Sequence, residues 1–203
     1  RVSGEWVEYD RPQVIQRPGM ELRIPLGALT RDEVLRPRVE TVQGGISNRY
    51  VLHDEYVPLV KYATLMLAPR ESVVHPDKCY IESSRGYVGG NYVDGWYTVR
   101  IRELAESYAL AMDTIAPQCR WLTAQNGKKV SVLRCAVTDK GSGVKTFKAY
   151  ADGTFVLFTS HKGVWTSRLA ETPLKPVGKR RRLLVKIADQ CGNETVCERE
   201  FIY

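Results

Sequence analysis

Three groups of side chains in this sequence have the types and spacing for chemistry: five cysteines, a set of turn aspartates and a run of basic residues. The cysteines are Cys79, Cys119, Cys135, Cys191 and Cys197. No CxxC is present, which removes the zinc-ribbon and thioredoxin-type motifs. Cys191 and Cys197 flank the turn GNETV and can face each other across a hairpin, while Cys119 and Cys135 fall on the inward phases of consecutive strands. Two readings stay open. One is a pair of disulfides, Cys191–Cys197 and Cys119–Cys135, with Cys79 left over, which implies an oxidising compartment. The other is five buried thiols that pack as small apolar groups.

Catalytic patterns are missing. The histidines are His53, His75 and His161, and no HxH or HExxH occurs, so the zinc-hydrolase arrangement has no basis here. His75 and Cys79 lie in HPDKC, but Pro76 and Asp77 make that phrase a plain turn, and papain-like pairs do not arise from local spacing. There is no GxSxG. Asp94, Glu103 and Glu106 lie near NYVDGWY, yet nothing fixes two of them at the roughly 5–9.5 Å of a glycosidase pair. Solvated strand-end acids are the expectation, and no enzyme activity.

Three constellations suit binding. Asp113, Asp139 and Asp189 with Asn193 offer oxygens of the kind a calcium ion takes, although each Asp can equally cap its own turn. Beyond this one candidate ion, no cofactor is called for. Lys128, Lys129, Lys179, Arg180, Arg181 and Arg182 form a candidate anion-attracting pole, or a solvated loop that keeps an edge strand from pairing. In GYVGGNYVDGWYTVR, Tyr92 and Trp96 beside glycines suit a sugar ring or a protein contact, or simply pack in a core. Trp96 and Tyr97 point to opposite faces of a regular strand, so at most one of them is core.

These sets act only if β elements position them. After the polar segment 1–19, read as an extended lead-in with Trp6 and Val7 docking somewhere, MELRIPLGAL and YATLMLAP alternate, and KCYIESS and GYVGGNYVDGWYTVRI are rich in Tyr and Val and broken by Gly. IRELAESYALAMD fits a helical spacing, but the Gly-rich β segment before it and DTIAP after it favour a turn followed by a strand. Pro117 makes DTIAP a boundary. Beyond it come QCRWLTA, an Asn126-Gly127 turn, VSVLRCAVTD, GVKTFKAYA, an Asp152-Gly153 turn, TFVLFTS, VWTSRLA, RLLVKIAD and TVCEREFIY. Seven short strands at this spacing are the signature of an immunoglobulin-like sandwich. In such a sandwich Asp113, Asp139 and Asp189 with Asn193 share one pole, and the lysine–arginine set shares the other.

The expected fold is all-β: two tandem β-sandwich domains, residues 20–113 and 114–203, the second immunoglobulin-like. At 203 residues, 43% hydrophobic and 26% charged, the chain can bury a core in either. The net charge of +7 favours anionic partners. No apolar run reaches the roughly 18 residues of a membrane helix. The chain opens on Arg1 and not Met, so a mature protein or an excised fragment is expected.

The phrases DTIAP (113–117), TDKGSGVKTFKAYADGTFVLF (138–158) and ADQCGN (188–193) resemble the immunoglobulin-like modules that follow some secreted LytM-type (lysostaphin-like) zinc peptidases. IPLGAL (24–29), YVGGNYVDGWY (87–97) and SYALAMDTIAP (107–117) resemble the companion module of those proteins, and IPLGAL is also similar to the start of ZU5-like β domains. The resemblance implies a periplasmic or cell-surface accessory module, a monomer that positions or targets a peptidoglycan peptidase. Its partner would be an envelope polymer or protein, not nucleic acid. It carries no catalytic residue across. A carbohydrate-binding or adhesin module acting alone, and a hydrolase whose catalytic part lies outside this chain, are the alternatives.

Overall fold

In the computed structural model, which describes residues 4–104, 107–124 and 127–203, the chain divides into two compact units, Arg1–Met112 and Asp113–Tyr203. Both are built of strands and short turns, so the protein is all-β.

The first unit contains β1 (Glu5–Val7), β2 (Gln13–Arg17), β3 (Met20–Ile24), β4 (Glu33–Leu35), β5 (Arg38–Glu40), β6 (Arg49–Val51), β7 (Pro58–Leu67), β8 (Cys79–Ser83), β9 (Gly86–Gly89), β10 (Asn91–Val93), β11 (Trp96–Glu103) and β12 (Ser107–Met112). They form two five-stranded sheets, β10-β11-β7-β3-β2 and β5-β6-β12-β8-β9, and a β1-β4 pair. Alternation sorts the faces. Met20, Leu22 and Ile24 of β3, Ala63, Leu65 and Leu67 of β7, and Tyr97 and Ile101 of β11 are buried in one core with Ile81, Tyr108 and Leu110 of the other sheet. The turn between β10 and β11 needs positive φ at both residues, and Asp94 (49°) and Gly95 (86°) supply it.

Residues 5–17, expected to be part of a lead-in, are not one. β1 pairs with β4, β2 pairs with β3 in the register Ile15↔Leu22, and Val7 and Ile15 are fully buried. One buried residue per short, polar strand is too sparse a pattern to read as alternation, and only the neighbouring strands reveal it. Tyr50 closes the segment by donating its hydroxyl to the Pro18 carbonyl at 2.8 Å.

β7 carries one irregularity. Its register with β11 runs Ile101↔Ala63 and then Glu103↔Pro58, so two steps on β11 span five on β7. The extra residues form a bulge near the start of β7, and beyond it Tyr62 keeps the outward phase of Thr64.

The second unit contains β13 (Gln118–Trp121), β14 (Val132–Thr138), β15 (Val144–Ala151), β16 (Thr154–Phe155), β17 (Thr159–His161), β18 (Val164–Arg168), β19 (Arg180–Asp189) and β20 (Glu194–Ile202). The sheets are β13-β14-β18-β17 and β16-β15-β19-β20. In sandwich lettering this is ABED against C′CFG, the immunoglobulin-like order. Leu133, Cys135, Val137, Leu183, Val185 and Ile187 face one core, and Phe147 stacks on Trp165 at 4.2 Å. The Asp152-Gly153 hairpin forms with φ of 47° and 83°; Asn126 of the other expected hairpin turn lies outside the described residues. Asp113 belongs to this unit and not to the first, because its carboxylate binds Ser142.

Candidate functional site

Three turns of the second unit converge on the acids. Asp113 is buried, and its Oδ2 accepts from the Ser142 N–H and hydroxyl, both at 2.7 Å, while Oδ1 accepts from the Ile115 N–H at 3.0 Å. Asp189, also buried, accepts from the Asn193 N–H at 2.8 Å and its side-chain amide at 2.7 Å. That amide also donates to the Asp113 carbonyl at 2.9 Å. Asp139 Oδ1 accepts from the Gly141 and Gly143 N–H groups, and its buried Oδ2 has no partner. Gly141 is required by the close approach: a Cβ there would meet the Asp113 carboxylate at 2.3 Å. One ligand oxygen from each of Asp113, Asp139 and Asp189 lies within 4.8 Å of the others. The set has the oxygen chemistry of a hard cation. It also does the turn-capping work, since the carboxylates hold five backbone N–H groups. Burial opposes ionisation of Asp113 most strongly, but the Ser142 and Ile115 donors and the Asp189 carboxyl together outweigh it and hold the group below the usual carboxylate range.

The basic pole is divided by strand register. Arg180 pairs with Glu200 (3.0 Å) and Arg182 with Glu198 across the β19–β20 ladder. Arg181, on the opposite phase, pairs with Asp152 at 3.2 Å. A single six-charge cluster is therefore corrected: facing glutamates neutralise the arginines. The loops do meet. Lys129 lies beside Gly178, and a pocket of about 190 Å³ is lined by Thr123, Lys128, Arg180, Arg199 and Glu200. Lys128, Lys129 and Lys179 are exposed.

The aromatic pair is corrected as well. Tyr92 faces Tyr97 and Val93 faces Trp96, so Tyr92 and Trp96 lie on opposite faces of the hairpin. Tyr97 is the core residue, fully buried, with its hydroxyl donating to the Pro76 carbonyl at 3.0 Å. Tyr92 covers it at 4.8 Å between ring centroids and stays 45% exposed. Trp96 is half-buried on the outer face.

All five cysteines are free thiols, which corrects both expected disulfides. Cys191 sits in the turn, whereas Cys197 is three pairs along the ladder opposite Val185 with its side chain against the core. The Cys119 thiol is raised first by its bond to Cys135 and then by burial, and Cys197 is pushed up to about 12 by burial and by Cys119. The Cys79 thiol donates to the His75 carbonyl, not its ring, at 3.6 Å and is raised by burial. Such thiols are poor nucleophiles and poor metal ligands. Among the described residues no histidine side chain is oriented by a carboxylate, as a catalytic one would be. Glu103 pairs with Arg85, Asp94 takes a turn φ, and Glu106 lies outside the described residues.

Sequence reasoning missed a third place, on the outer face of the first unit. Arg100 and Arg102 lie 4.2 and 4.1 Å from the ring centroid of Tyr62. The alternation in TVRIRE already put both arginines on the face opposite Ile101, and alternation in YATLML put Tyr62 opposite Ala63; the sequence did not reveal that β7 and β11 pair in the register that brings the two together.

Two units of packed sheets, with turn-locking carboxylates and protonated thiols, define an all-β sandwich protein. Residues 4–113 match the Zu5-like domain, and the chain belongs to that family. No curated protein matches it. Among solved structures it is similar to apo expansin from Clavibacter michiganensis, with 14% identity over 61% of this chain and 70% of that one and a TM-score of 0.31.

Proposed function

We propose that this chain is a non-catalytic binding and spacing module of the cell envelope, which holds a peptidoglycan peptidase near its polymer. The observation that carries the reading is the pole of the second unit, where exposed Lys128 lines a small pocket with Arg180 and Arg199, and exposed Lys129 lies beside Gly178, next to exposed Lys179 in the chain. Exposed lysines at loop tips attract a polyanion in a salt-sensitive way. The module's location is periplasmic or at the cell surface, consistent with the resemblance of DTIAP, TDKGSG and ADQCGN to peptidase accessory modules.

The test is co-sedimentation with purified sacculi at low and high salt. Binding that falls with salt and is lost in Lys128→Ala/Lys129→Ala/Lys179→Ala supports the reading; salt-independent binding, or none, refutes it. A second reading, a carbohydrate-binding module acting alone, is favoured by the half-exposed Tyr92 and would show as salt-independent binding to neutral glycans that Tyr92→Ala abolishes.

A further inference from the structure

The outer face of the sheet β10-β11-β7-β3-β2 belongs to the first unit and shares no residue with the basic pole of the second. Its outward side chains follow from register. β11 contributes Trp96, Thr98, Arg100 and Arg102; Asn91 faces Thr98; Thr64 faces Arg100; and Arg23 faces Thr64 on the next strand. From Trp96 to Arg102 the row is about 20 Å long at the usual rise per strand residue. Tyr62 is 40% exposed, and Arg100 and Arg102 are exposed beside it.

What distinguishes this face is unspent charge held in place. Arg23 is satisfied by Glu21. Among the described residues Arg100 and Arg102 have no carboxylate partner, and their contacts are with the Tyr62 ring. The ring holds two planar guanidinium groups, so their donor forks are partly ordered before any ligand arrives, which lowers the entropy cost of binding. A guanidinium fork matches a planar carboxylate with two parallel bonds. Next to Arg100 runs a shallow groove lined by Thr64, Asn91 and Thr98, whose hydroxyls and amide suit a polyhydroxylated chain. Trp96 at the far end of the row adds an aromatic face of the kind that stacks on a sugar ring.

We infer that this face binds a carboxylate-bearing glycan chain, with Arg100 and Arg102 taking its carboxylates and Thr64, Asn91 and Thr98 its hydroxyls. A glycan of uronic-acid type supplies every feature the surface asks for: planar anions, hydroxyls and apolar ring faces. A phosphate polymer supplies only charge.

The test uses the full chain and alginate as the polyuronate, with fully esterified alginate and polyphosphate as comparisons. Alginate is bound and the ester is not. Arg100→Ala/Arg102→Ala loses at least tenfold in affinity with an unchanged urea midpoint, and Arg100→Lys/Arg102→Lys, which keeps the charge but not the fork, loses several-fold. Lys145→Ala/Lys148→Ala, which removes as much charge from the second unit, stays within twofold. The inference is overturned if alginate is not bound, if the alanine pair binds it as the parent does, if the lysine pair is indistinguishable from the parent, or if polyphosphate binds as tightly. The sacculus experiment reads different residues, so either proposal can fail without the other.

Discussion

Replacing Asp113 by Ala is the most direct trial of how the second unit is held together. The substitution removes the acceptor of the Ser142 N–H and hydroxyl, both buried, and of the Ile115 N–H. Each buried donor left without a partner costs about 1–3 kcal/mol. Relief of repulsion from Asp139 works the other way. Asp113 is nonetheless more acidic than an ordinary aspartate, so its donors outweigh burial and any repulsion, and the loss dominates. A net destabilisation of about 3 kcal/mol follows, which for a unit of this size lowers the unfolding temperature by about 10–20 °C. The sign of the pH dependence is also set. A carboxylate held below the ordinary aspartate range contributes stability that is complete above that range and disappears as the pH falls through its lower, folded-state pKa. The Asp113→Ala protein should therefore lose most relative to the parent near neutral pH and converge with it in acid. Hydrogen exchange with mass spectrometry localises the effect: amides of 139–143 and 189–193 lose protection, and those of β7 and β11 do not. A variant as stable as the parent would show that Asp113 locks nothing. A variant more stable than the parent would show that repulsion rules the cluster. The same melts in calcium and in chelator separate the two roles of the acids: a calcium-dependent rise abolished in Asp139→Ala identifies a cation site, and no change leaves three turn caps.

Other consequences are quick to check. The reduced protein should yield five thiols to a labelling reagent in denaturant, while Cys119 and Cys197 resist alkylation up to about pH 9 in the native state because both thiols are raised; rapid native labelling of both would contradict their packing. Trp165→Ala removes a ring stacked on Phe147 and should cost about 3 kcal/mol by urea titration. Arg182→Ala, whose ion pair with Glu198 is exposed, should leave the urea midpoint close to that of the parent, and a clear drop would mean that the β19–β20 pairs carry the sheet. Tyr50→Phe should destabilise the first unit by about 1 kcal/mol through the lost bond to Pro18.

The sequence by itself determined the strands and several of their turns. Alternation in MELRI and RLLVKIAD, and the Asp152-Gly153 pair, are local properties, and local sterics enforce them whatever the surroundings. It also sorted the faces: Leu133, Cys135 and Val137 inward, Arg100 and Arg102 outward. Tertiary structure decided what those side chains meet. Arg180 and Arg182 read as free charge until the ladder set Glu200 and Glu198 diagonally across from them, because cross-strand register is a long-range quantity. Cys191 and Cys197 flank a turn, yet the ladder sends one into the turn and the other against the core. Val7 and Ile15 looked like part of a polar tail until neighbouring strands buried them. Tyr62 is in phase with outward Thr64, yet only the pairing of β7 with β11 in this register sets its ring beside Arg100 and Arg102, and that register is a property of two strands together.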